Sequence, residues 1–252
     1  MKSADLFGYK VIFLLAVIGL LNNCASNMAG KVPLALTGNE TANLLETSQY
    51  LPVPTFDKTG LMVPYEKTEN PYLAKKGRID KESVQTYIEA RRAFKGNQLE
   101  QADLLLTGLT EKDASLSGPW VMKGDIALEQ GKLEKALQNY VNAVKINKDN
   151  INGYLRLAKV QRIQGDFILA QNTYAKALSI WPDCPEAHLN LAVLYDVYMN
   201  HPLRAQKHME AYQFLTDGEN DKVAAWLDEL QKRTGVALTI GILKSTTAEP
   251  VS

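Results

Sequence analysis

The sequence is poor in the residues that carry most enzyme chemistry. Two cysteines, Cys24 and Cys184, stand 160 positions apart in 252 residues. That count excludes a disulfide-rich scaffold and a four-ligand zinc site. Histidine occurs three times, at 188, 201 and 208, and no pair has the HE-x-x-H spacing of a zinc hydrolase. His188 falls at a packing position, and Cys184 lies in a turn between Pro182 and Pro185 with no histidine in a motif-like relation to it. No Gly-x-Ser-x-Gly elbow is present, and Gly131-Lys132 lacks the spacing of a phosphate loop. Charge of one sign is missing too, since 28 basic residues balance 28 acidic ones. A neutral chain argues against nucleic acid as the main partner, because phosphate binding needs a basic face. These absences predict a non-enzyme with no metal, no cofactor and no small-molecule substrate. The 46% apolar and 22% charged content nonetheless fits a packed domain.

Long apolar runs are scarce as well. The first covers residues 11–21 behind Lys2 and Lys10. As a helix it measures roughly 16 Å, about half the hydrocarbon core of a bilayer, which is the size of a signal-peptide h-region. It ends at Leu21-Asn22-Asn23-Cys24-Ala25-Ser26, which resembles the lipobox of bacterial lipoproteins. Leu21 matches the aliphatic position three before the cysteine, whereas Asn23 stands where that family favours a small residue. The resemblance implies signal-peptide removal over 1–23, lipidation of Cys24 and, from Ala25, a bacterial outer-membrane address facing the periplasm. A simple signal peptide or an uncleaved anchor is the alternative.

Residues 24–80 keep no helical or strand period and hold five prolines, so they read as a flexible tether. Two apolar clusters within it, Leu44-Leu45 and residues 50–56, are candidates for docking on the domain that begins near residue 81.

Beyond residue 80 the chain repeats itself. Small residues recur at Ala90, Gly124, Ala158 and Ala192, each 34 apart, and alanines at 102, 136, 170 and 205. Larger residues follow at Leu106, Tyr140, Tyr174 and Met209, and Gly131 and Gly165 mark turns. This pattern resembles the tetratricopeptide repeat (TPR) family over four units, about 83–116, 117–150, 151–184 and 185–219. The expected fold is all-α, a right-handed solenoid of four helical hairpins, because one hairpin cannot bury its apolar face alone and a stack can. The fourth unit holds one extra residue and Pro202 near its inner turn, so an irregular turn is expected there. A capping helix over 221–233, with Val223, Trp226, Leu227 and Leu230 on one face and Gly235 as its stop, completes a domain spanning 81–235. Trp226 is expected to plug the end. The tail 236–252 opens with an eight-residue apolar run that either packs on the array or offers a strand.

The TPR resemblance implies a peptide groove lined by the first helix of each hairpin. Transferred position by position, it comprises Tyr87, Ile88, Arg91 and Phe94, then Met122 and Asp125, then Leu155, Arg156, Lys159 and Arg162, and lastly Asn190 and Val193. An apolar floor with a basic strip suits a peptide with apolar anchors and acidic character. The expected role is a membrane-anchored adaptor holding a protein partner in an envelope complex. It is similar in plan to the pilotin-type lipoproteins of pilus and secretion systems and to TPR accessories of TonB-type transport. Recruitment or regulation of a cell-wall-modifying enzyme or a protease is the alternative.

Overall fold

The computed structural model describes residues 43–75, 77 and 79–240. The apolar run 11–21 and Cys24 lie outside them. From residue 81 onward the described chain is helical: α1 (Lys81–Lys95), α2 (Leu99–Lys112), α3 (Ser117–Glu129), α4 (Leu133–Ile146), α5 (Ile151–Ile163), α6 (Phe167–Ile180), α7 (Pro185–Val193), α8 (Pro202–Leu215) and α9 (Asp221–Thr234). Helices pack pairwise as TPR hairpins, α1 with α2 through α7 with α8, and α9 covers α8. The array is all-α, and strand character among the described residues is confined to one isolated bridge between Phe56 and Met62.

Local chemistry sets the ends of these helices. Asp80, Asn150 and Asn220 each accept a hydrogen bond from the amide three residues on, which satisfies a donor that the first helical turn leaves open. Gly235 terminates α9 in the left-handed region at φ 67°, as the sequence predicts. The alanines at 90, 102, 136, 158, 170, 192 and 205 are fully buried, as are Leu106, Tyr140, Tyr174 and Met209. Gly124 shows why small residues recur. A Cβ there would stand 2.3 Å from the Tyr140 ring, so only glycine lets that ring lie against the α3 backbone.

The turn inside each hairpin uses one left-handed residue, at Asn97, Gly131, Gly165 and Asn200. In the first three, the amide after it reaches back five residues, as from Lys132 to Ala127. In the fourth, His201 reaches back six, to Tyr195. The extra residue of the fourth repeat is therefore absorbed in the helix, as a π-helical turn over Leu194–Tyr198, and the turn itself keeps its form. Pro202 sits at the first position of α8, where its missing N–H costs no helical bond.

Two segments outside the repeats pack on this frame. Residues 43–75, which the sequence presents as a flexible tether, are docked as a strap against α6, α8 and the loops between hairpins. A backbone without helix or sheet must find partners elsewhere, and the array's side chains supply them. Gln171 accepts from the Leu45 amide at 3.1 Å and donates to its carbonyl at 2.9 Å. Asp183 accepts from the Tyr65 hydroxyl and from both the amide and the hydroxyl of Thr68. The second segment begins after Gly235, where Glu210 accepts from the amides of Thr239 and Ile240. Ile240 is buried with Ala211, Phe214 and Leu215 beside Leu51, Met62 and Tyr65 of the strap. Over 236–240 the tail thus packs on the array. In α9, Val223, Leu227 and Leu230 fill the end of the last hairpin. Trp226 is only half-buried, because its ring N–H is held by Asp196 in the π turn at 2.8 Å.

Candidate partner-binding faces

Of the first helices, α1 packs on α3 and α3 on α5, and with α7 they carry the groove residues expected from the repeat. Asp125 on α3 is their centre. Its Oδ1 accepts from the Tyr140 hydroxyl at 2.8 Å and pairs with the Arg156 guanidinium of α5 at 3.0 Å. Burial pushes its carboxyl above the ordinary carboxylate range, and the charges of Arg156 and Lys159 and the Tyr140 hydroxyl oppose that shift. Burial and the same carboxylate push the Tyr140 phenol well up. Arg156 is thus committed within the array and is not a free strip residue. Arg162 donates to the Tyr198 hydroxyl at 2.7 Å and lies 5.1 Å from that ring, so it braces the π turn.

Met122, expected in the groove floor, is buried in a core cluster with Ala90, Ala93, Leu106, Leu109 and Ile126. Its position on α3 turns toward the first hairpin, where the long side chain fills space left by small residues. Tyr87 and Phe94 pack half-buried against the same cluster. Ile88, Arg91 and Lys159 are exposed, as is the paired Arg156, and Leu155, Asn190 and Val193 are half-buried. The expected groove residues therefore divide evenly into a structural set and a solvent-facing set.

The face that carries the strap was not legible as a site. Its central feature is a chain of buried polar groups. His188 Nε2 lies 2.8 Å from the Pro182 carbonyl, His188 Nδ1 lies 2.9 Å from His208 Nδ1, and His208 Nε2 lies 2.8 Å from the Thr47 hydroxyl. The proton order is set by the ends. A carbonyl only accepts, so His188 holds its proton on Nε2 and accepts at Nδ1. His208 then donates from Nδ1, and the Thr47 hydroxyl donates to its Nε2. Both rings are neutral in this arrangement. Burial lowers the pKa of His188 to about 4 and that of His208 well below the usual value, with Arg204 and Lys207 adding to the latter. Neither ring nitrogen is left for a metal, and among the described residues no group of three His, Cys, Asp or Glu is placed to hold one. Cys184 is fully buried and its thiol is pushed up to about 12 by burial, the state of an inert packing residue.

Residues 124–165 match the family described as TPR repeat. Those residues carry the TPR repeat, and the array around them shares its fold. Among curated proteins, the chain is similar to protein O-mannosyl-transferase TMTC1 of Mus musculus, at 28% identity over 107 residues, 42% of the chain and 11% of that protein. It spans about a tenth of the length of the curated relatives it matches. Among solved structures it is similar to MamA from Desulfovibrio magneticus RS-1, with TM-score 0.53 and 16% identity over 63% of this chain and 88% of that one. A tetratricopeptide repeat protein from Parabacteroides merdae gives TM-score 0.53 and 19% identity over 62% and 61% of the two chains. At these identities the structural likeness establishes the TPR fold.

Proposed function

We propose that this chain is a non-enzymatic TPR scaffold of the bacterial cell envelope, anchored through a lipid on Cys24, that holds a protein partner on its first-helix face. A TPR array is a scaffold for protein–protein contact. The observation that carries the finer reading is the solvent-facing set on α1, α5 and α7. There Ile88, Arg91 and Lys159 are exposed beside half-buried Leu155 and Val193, so cations stand next to apolar surface. Such a face suits a segment with apolar anchors and acidic groups. Support for the anchor is the run 11–21 ending at Cys24 behind two lysines.

Metabolic labelling with a fatty-acid analogue tests the anchor: wild type takes up label and sediments with membranes, and Cys24→Ala does neither. An unlabelled wild type removes the lipoprotein reading. Pull-down from the native envelope tests the scaffold, and Lys159→Glu should deplete the principal co-purifying protein. The identity of that protein separates a pilus, secretion or energised-transport complex from a cell-wall enzyme or protease.

A further inference from the structure

The contacts between strap and array have the form of a receptor holding a peptide. A segment that is merely core is fixed by apolar side chains. Here the array reads backbone and hydroxyl groups as well as the apolar Leu51, Met62 and Tyr65. The Gln171 amide makes a paired bond to the N–H and C=O of Leu45, as a neighbouring strand would. Asn172 accepts from the Leu45 amide at 2.9 Å and donates to the Asn43 carbonyl at 3.0 Å. These bonds select an extended backbone without regard to side chain. Sequence is read at three points. Thr47 is 2% exposed and ends the histidine chain. The Tyr65 and Thr68 hydroxyls converge on Asp183, and the Thr68 carbonyl accepts from the Trp181 ring at 2.8 Å. Between them, the Tyr65 ring meets Phe214 edge-on at 5.1 Å. Gln171, Asp183 and His208 are at most 4% exposed with the strap in place. They belong to outer helices and loops, where water would otherwise satisfy them.

We propose that the α6–α8 face is a second peptide-binding site, filled in cis by residues 43–68, and that this ligand is exchangeable. The class of ligand is an extended segment carrying Leu-x-Thr and, further on, Tyr-x-x-Thr. The occupant that meets that description is the strap of a second copy of this chain, which carries Leu45, Thr47, Tyr65 and Thr68 in the same order. The site is separate from the first-helix face, so the two readings stand or fall apart.

The test keeps the full chain. A specific protease site inserted at Gly77, an exposed position between strap and α1, allows the covalent link to be cut after folding. The strap fragment should then remain with the array in native gel filtration, with helicity unchanged by circular dichroism. A fluorescent peptide of residues 43–68 should replace it and gain anisotropy. The same peptide with Thr47→Val and Thr68→Ala should bind at least tenfold more weakly. Lys159→Glu in the array should leave the exchange unaltered, which separates this site from the proposed partner face. Loss of the fragment or of helicity on cutting overturns the proposal, as does a fragment that never exchanges. Equal binding of the two peptides overturns it as well.

Discussion

The first-helix face and the strap-bearing face of the array are built from the same repeats and treat polar groups in opposite ways. On the first-helix face, Arg156 is half-exposed and pairs with Asp125 one hairpin away, and Lys159 stays in water. On the strap-bearing face, Gln171, Asp183, His208 and Glu210 are buried, and each is satisfied by chain more than a hundred residues upstream or by the tail. Exposed ion pairs stabilise little, because water competes for both charges. A buried acceptor with three donors is different, since removing it leaves all three without a partner. The strap-bearing face is therefore where stability and recognition meet, and on the first-helix face a charge that stays in water, such as Lys159, can vary with little harm to the fold.

Asp183→Ala should produce the largest effect. It removes the acceptor for Tyr65 and for both Thr68 donors, and a loss of about 3 kcal/mol is expected, less than three charged bonds at roughly 1.5–3 kcal/mol each because the freed strap can turn its donors to water. Hydrogen exchange should quicken at Thr68 and through the strap while α3 and α5 keep their protection. Arg156→Ala, made on the other face, should cost under about 1 kcal/mol. Similar losses from the two variants would erase the contrast between the faces.

That contrast also explains what could be read from the sequence. The four hairpins were legible because each repeats the same small and large residues at fixed spacing, and Gly131 and Gly165 mark the inner turns of the two central units. The extra residue in the fourth repeat was legible as an insertion, but a 35-residue spacing does not say whether turn or helix absorbs it. Met122 was misplaced because its position points outward in an average repeat, while here the first hairpin offers it a gap. The strap was legible only as two apolar clusters that could dock, and its polar contacts were not legible at all. Its partners are single polar residues such as Gln171 and His208, which have no period, and Thr47 reaches His208 across 161 positions. Five prolines excluded helix over that stretch without saying that side chains would satisfy the backbone.

Acid should act next in size, through the two histidines of the strap-bearing face. Above pH 6.5 both histidines are neutral folded and unfolded, so stability does not depend on their titration. As pH falls below 6.5 the unfolded chain takes up protons that His188 in the folded chain refuses until about pH 4. Stability therefore declines through that window and levels off below it. At pH 5 the cost from His188 alone is about 2 kcal/mol, and His208, lowered further, adds to it. A proton on His188 Nδ1 would also face the N–H of His208, breaking the chain that ends at Thr47. Urea unfolding across pH should show this decline, with strap amides losing protection first. His188→Asn combined with His208→Gln should flatten it. A wild-type profile that is already flat between pH 6.5 and 4 would show that the pair titrates as it does in the unfolded chain.

The smallest effect on stability, and the sharpest on binding, is expected from Lys159→Glu. Reversing Arg156 would set a glutamate against Asp125, whose carboxyl is already destabilised by burial, so any loss of binding there would be confounded with loss of fold. Lys159 is exposed and can be reversed with a change in stability within about 0.5 kcal/mol. Affinity for an acidic partner segment should fall about tenfold, and the salt dependence of the remaining binding should flatten, because exposed charges act over a Debye length of about 8 Å. Lys176→Glu, exposed on α6 of the opposite set of helices, is the matched control and should bind as wild type does. Equal losses from the two reversals would mean attraction to net charge and not to a face. No loss from Lys159→Glu, with a loss from Asp183→Ala, would move partner recognition to the strap-bearing face.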